Sequence, residues 1–137
     1  MNWGIVNILM NQIWKSLMYS DDFKDFVHEE IGDVCIETIN FSRATLNEAN
    51  AFNELLKSNI TNGKENIMVD LSNCDYVDST FIGTLVVYAK KTLLENVKFI
   101  IVVREGGYVS SLFKNTRLER VLTIYQTRNA AMQHFIN

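Results

Sequence analysis

The run Ile67-Met-Val-Asp-Leu-Ser-Asn-Cys-Asp-Tyr-Val-Asp-Ser-Thr-Phe-Ile-Gly-Thr-Leu85 sets two patterns back to back. Residues 67–71 are apolar at nearly every position, as in a strand covered on both faces. A short polar loop follows, and Ser79 or Thr80 opens a helix whose apolar stripe is Ile82, Leu85, Val86, Ala89 and Leu93. Strand, loop and helix in this order form the repeating unit of a parallel sheet.

The same cycle extends in both directions. Upstream, β-rich runs at about 25–30 and 34–39 flank Gly32-Asp33, a tight hairpin signal. Thr45-Leu-Asn-Glu48 matches a capping box, and Leu46, Ala49, Phe52, Leu55 and Leu56 mark a helix over about 46–58, stopped by Asn62-Gly63. Downstream come a strand over 98–103, Gly106-Gly107, a short helix around Val109, Leu112 and Phe113, and a last strand over 121–125. Thr127 then caps a final helix through Ala130, Ala131 and Phe135. The order β-β-α-β-α-β-α-β-α predicts an α/β sandwich with a mostly parallel sheet, an edge hairpin and helices packed on it.

Before this unit, Trp3, Val6, Met10, Ile13, Trp14 and Leu17 recur at helical spacing, predicting an amphipathic helix over 3–18 that Ser20-Asp21-Asp22 ends. The chain therefore divides into an extension, 1–22, and a domain, 23–137. The extension is expected to pack on its own domain or to form a homodimer with a second copy. An interfacial membrane helix wants a basic polar face, and this one offers only Lys15. Residues 1–14 lack the basic start of a secretory signal and are too few and too polar to span a bilayer, so the reading is a soluble, cytoplasmic protein. With 137 residues, 47% apolar and 21% charged, the composition is that of one globular domain, not of a disordered chain. A net charge of −3 disfavours generic binding to nucleic acid. Cys35 and Cys74 form neither a metal knuckle nor a redox pair and read as small buried hydrophobes.

A search for catalytic residues finds no enzyme. His28 and His134 have no Cys, His or Glu at metal-ligand spacing in the sequence, so neither a metal nor another cofactor is expected. Ser79 lacks a hydrolase elbow, and no phosphate-binding glycine loop is present. Asp78-Ser79-Thr80 alone are ordinary capping residues, although a hydroxyl at a helix start sits where free amides and the helix dipole favour a phosphate.

The whole segment resembles the STAS domain family, whose best-known members are bacterial anti-sigma-factor antagonists. That family's signature is an apolar strand ending in Asp-Leu, a few loop residues, and Asp-Ser-Ser-Gly-Leu-Gly opening a helix. Asp70-Leu71 and Asp78-Ser79-Thr80-Phe81-Ile82-Gly83 stand in those places, and the resemblance runs over about 23–137. It implies a small sheet with an edge hairpin and helices on one side. It further implies an anti-anti-sigma factor that regulates transcription without being an enzyme. A partner anti-sigma factor that is also a serine/threonine protein kinase would phosphorylate Thr80 (alternatively Ser79), and a phosphatase would reverse this. Asp78, Ser79, Phe81, Gly83 and Tyr76 would meet the partner. Phe81 stands where the family has glycine and lies off the centre of the expected stripe, so it is expected to be an exposed anchor. Neither Asn40-Phe41-Ser42-Arg43 nor Phe41-Ser42-Arg43-Ala44 matches the Gly-x-x-Asp common in the family. Two other readings come from the same resemblance: a STAS subunit of a transport or lipid-trafficking complex that docks without phosphorylation, and a small-ligand-binding STAS domain.

Overall fold

Strands β1 (Phe26–Ile31) and β2 (Val34–Ile39) turn back on each other through Gly32-Asp33. Gly32 takes φ +58°, the left-handed conformation that a two-residue hairpin turn demands and glycine adopts without steric cost. This is a computed structural model, and it describes residues 26–136 together with Gly4, Val6 and Met10, three positions in helical conformation. The rest of the expected 3–18 helix and the boundary at Ser20-Asp21-Asp22 lie outside the described residues.

After the hairpin come β3 (Arg43–Ala44), α1 (Leu46–Thr61), β4 (Asn66–Asp70), β5 (Tyr76–Val77) and α2 (Ser79–Leu94). Strand β6 (Lys98–Val102), α3 (Tyr108–Asn115), a 3-10 turn (Leu118–Arg120), β7 (Thr123–Tyr125) and α4 (Arg128–Ile136) complete the domain. The main sheet has the order β1-β2-β4-β6-β7, antiparallel only in the β1–β2 hairpin. An α/β fold with a mostly parallel sheet and an edge hairpin is therefore what the chain forms. Thr45 caps α1 as expected: its Oγ1 accepts from the Asn47 amide (3.3 Å), and the Glu48 carboxylate accepts from the Thr45 amide (2.9 Å).

Three features depart from expectation. First, helices cover both faces of the sheet. Ile39, Ile67, Val69 and Ile101 pack beneath Phe52, Leu56 and Leu85 of α1 and α2, whereas Val34, Ile36, Met68 and Ile100 face Ala131 of α4. Strands β4 and β6 are apolar at consecutive positions, so each presents an apolar row to both layers. Second, α2 buries Phe81, Leu85, Tyr88 and Thr92, one row round from the expected stripe; Ile82, Val86 and Ala89 are half-buried, and Leu93 is 78% exposed. The burial of Tyr88 turns the helix this way, because its hydroxyl donates to the Asn53 carbonyl of α1 at 3.0 Å. Third, β3 and β5 form a two-stranded parallel ribbon, too short for any periodicity to announce.

The hairpin also overturns the view of His28 as isolated. Antiparallel register sets His28 opposite Glu37, and Cys35 lies two residues from Glu37 on the same side of the strand. Cys35 and Cys74 are both buried, and burial pushes both thiols up to about 12, so each stands as a neutral, apolar group.

Arg128, at the start of α4, reaches side chains of three strands, β1, β2 and β4. Its Nε donates to Oδ2 of buried Asp70 at 2.6 Å, and its Nη2 donates to Glu29 Oε1 at 3.0 Å and to Thr38 Oγ1. The other Asp70 oxygen accepts from the Ser72 amide (2.9 Å) and hydroxyl (2.6 Å). Removing the guanidinium strands a buried carboxylate. Arg128→Ala is expected to lose about 1.5–3 kcal/mol in urea unfolding. Combining it with Asp70→Asn should cost less than the two single losses added, since no unpaired charge is left; strict additivity would show that the two groups do not interact.

Candidate functional site

The β3–β5 ribbon brings two helix starts side by side. The amides of Asp75 and Tyr76 donate to the Ser42 carbonyl (2.7 and 3.0 Å), and the Asp78 amide donates to the Ala44 carbonyl (3.0 Å). The segment leading into α1 thereby runs along the segment leading into α2. Asp78 then joins the helices through its side chain. Oδ1 accepts from the Phe81 amide at 2.9 Å, capping α2, and Oδ2 accepts from the Leu46 amide at 2.8 Å, the first residue of α1. A carboxylate at two positive helix ends meets donors that have no intrahelical acceptor. Asp78 therefore lies at the expected site, with both of its oxygens engaged within the domain.

Ser79 and Thr80, the first two residues of α2, are exposed, and neither hydroxyl has a hydrogen-bond partner among the described residues. Gly83, one turn on, is also exposed, and a Cβ built there meets nothing within 4 Å. Ser79, Thr80 and Gly83 thus belong to one outward-facing, low-relief end of the helix, which continues to exposed Val87.

Phe81 is not part of that surface, contrary to expectation. It is fully buried, and its ring stacks on Phe52 of α1 with centroids 4.6 Å apart and planes 15° from parallel. Phe52 in turn meets Phe26, and Phe26 meets Phe41 edge-on, so four rings make one run through the core. Because α2 begins at Ser79, Phe81 occupies its first inward position, directly ahead of Leu85, Tyr88 and Thr92 on the buried face.

Tyr76 belongs to a feature that sequence reasoning did not assemble. Its half-buried ring stacks on Tyr108 of α3 (5.5 Å, 12°), and the Arg43 guanidinium stands 4.3 Å from its centroid. Arg43 and Tyr76 are direct partners in the β3–β5 ribbon, so only the pairing reveals the contact. Next to it in sequence, Asp75 pairs with Arg104 at 2.8 Å. Just ahead of α2, Tyr76 is therefore held by Tyr108 and Arg43, Asp75 by Arg104, and Asp78 by two helix amides.

A match to the STAS domain family spans residues 28–131. Among solved structures, the fold is similar to that of a proposed anti-sigma factor antagonist from Thermotoga maritima, with TM-score 0.72 and 22% identity over 82% of this chain and 95% of that one. It is also similar to an anti-sigma factor antagonist from Mycobacterium paratuberculosis, with TM-score 0.70 and 16% identity over 82% and 93% of the two chains. The phosphorylated form of the Bacillus cell fate determinant SpoIIAA matches with TM-score 0.60 and 12% identity, over 80% of this chain and 98% of that one. At these identities the likeness is one of fold.

The placement of Phe81 has a direct consequence for stability. Phe81→Ala should destabilise the domain by about 3–5 kcal/mol in chemical unfolding, the cost of emptying a fully packed aromatic site. A loss below about 1 kcal/mol would return the side chain to the surface.

Proposed function

The chain belongs to the STAS domain family, and on that premise we propose that it acts as an anti-sigma-factor antagonist, docking an anti-sigma factor through the first turns of α2 and released by phosphorylation of Thr80. It works as an interaction module and not as an enzyme. The observation that carries this reading is the pair of exposed hydroxyls of Ser79 and Thr80, without a hydrogen-bond partner among the described residues, on a helix start capped by Asp78, at the position of the family's signature.

The physical logic of the switch follows from that location. A phosphate on Thr80 adds about −1.5 to −2 charges at a helix N-terminus, where the dipole favours an anion, so the domain itself stays folded. The cost falls on docking. A partner covering this surface must desolvate the phosphate, and without a matching cation that burial is expensive. Asp75 and Asp78 add little repulsion, because Arg104 pairs with the first and helix amides hold the second. Before modification the same turn offers small hydroxyls and the bare backbone at Gly83, a low-relief patch suited to close approach by another protein.

Incubation with the anti-sigma factor kinase and ATP should add one phosphate, mapped by mass spectrometry to Thr80 and absent from Thr80→Ala. Modification confined to Ser79 would move the switch by one residue, and retained tight binding by fully phosphorylated protein would defeat the release mechanism. Gly83→Ala separates surface from scaffold. It should leave stability unchanged or raise it by about 0.5–1 kcal/mol, since alanine is the better helix former. Partner affinity should nevertheless drop about tenfold. Unaltered affinity would place the docking face away from Gly83.

A further inference from the structure

We propose that His28, Cys35 and Glu37 form a binding site for a zinc-class divalent cation on the β1–β2 hairpin, independent of the switch at α2. One potential ligand atom from each residue lies within 4.8 Å of the others. Cys35 Sγ is 3.7 Å from His28 Nδ1 and 3.4 Å from Glu37 Oε1, and His28 Nδ1 is hydrogen-bonded to that same oxygen. With Zn–S near 2.3 Å and Zn–N or Zn–O near 2.0–2.1 Å, the edges of a tetrahedral site run roughly 3.3–3.6 Å. The two sulfur distances already approach those edges, and only the imidazole and carboxylate must part for a cation to enter.

A second observation points the same way. Glu37 is fully buried, and its Oε2 has no hydrogen-bond partner among the described residues. A buried carboxylate with an unsatisfied oxygen calls for a charge or a donor beside it. The surroundings supply what supports a metal ligand set. Asn59 Nδ2 donates to Glu37 Oε1 at 3.3 Å. On the far side of the imidazole, His28 Nε2 lies 3.6 Å from Glu30 Oε1, in the manner of a carboxylate that orients a metal-bound histidine, and Lys64 pairs with that carboxylate. The His28 side chain is 46% exposed, which gives a cation a route in and leaves room for a solvent ligand. One nitrogen, one sulfur and one oxygen donor suit Zn²⁺ over Ca²⁺ or Mg²⁺, which take oxygen almost alone. On binding, Cys35 releases its thiol proton to solvent and coordinates as thiolate.

The test is a titration of the full, reduced chain with Zn²⁺ by calorimetry and with Co²⁺ by absorbance. One equivalent of Co²⁺ should produce a thiolate-to-cobalt charge-transfer band, displaced by Zn²⁺. Cys35→Ser should abolish the band, Cys74→Ser should leave it, and Glu30→Gln should weaken Zn²⁺ affinity about 10–100-fold. His28→Gln alters a half-exposed side chain, and its circular dichroism should match the parent while Zn²⁺ binding is lost; it decides the matter if Cys35→Ser fails to fold. Absence of stoichiometric binding, a band that survives Cys35→Ser, or full Zn²⁺ affinity in His28→Gln would overturn the site.

Discussion

The carboxylate of Asp78 is the joint on which the candidate surface depends. One oxygen caps α2 at the Phe81 amide and the other holds the Leu46 amide at the start of α1. The β3–β5 ribbon brings the two chain segments into line, and the carboxylate then fixes how the helices enter the domain. A neutral side chain of the same shape would keep part of the hydrogen bonding and lose the attraction between a full negative charge and two helix dipoles.

This joint separates two tasks that neighbouring residues share. Phe81 faces inward and ties α2 to α1 through the Phe52 ring, whereas Ser79, Thr80 and Gly83 face outward and are free of internal duties. Thr80 is exposed while its neighbour Phe81 is fully buried, so the two side chains serve different surfaces. Phe81 is accordingly a core residue, and the exposed first turns carry the small residues Ser79, Thr80 and Gly83.

Much of the architecture was legible from local signals. Gly32-Asp33, the Thr45–Glu48 box, the apolar run at 67–71 and the cap at Thr127 each act within a few residues, and each appears where the pattern puts it. What was not legible depends on contacts between distant segments. The face that α2 buries is set by Tyr88 reaching α1, not by its own periodicity, because its apolar residues cover two adjacent rows. The stacking of Arg43, Tyr76 and Tyr108 needs the two-residue ribbon, and the Asp70–Arg128 pair joins residues 58 apart in the chain. His28, Cys35 and Glu37 lack linear ligand spacing but meet once the hairpin register is known. At the candidate site, the signature located Thr80 on an exposed turn, while the inward direction of Phe81 required the helix to be placed against Phe52.

The most direct test of the central joint is amide hydrogen exchange, followed residue by residue by NMR, in the parent and in Asp78→Ala. The single carboxylate holds both helix starts, so the Leu46 and Phe81 amides should lose protection together, while amides of the central strands, such as Ile67 and Ile101, keep theirs. Loss of protection at Phe81 alone, with Leu46 unchanged, would show that Asp78 is only a local cap and would remove the basis for treating the two helix starts as one surface.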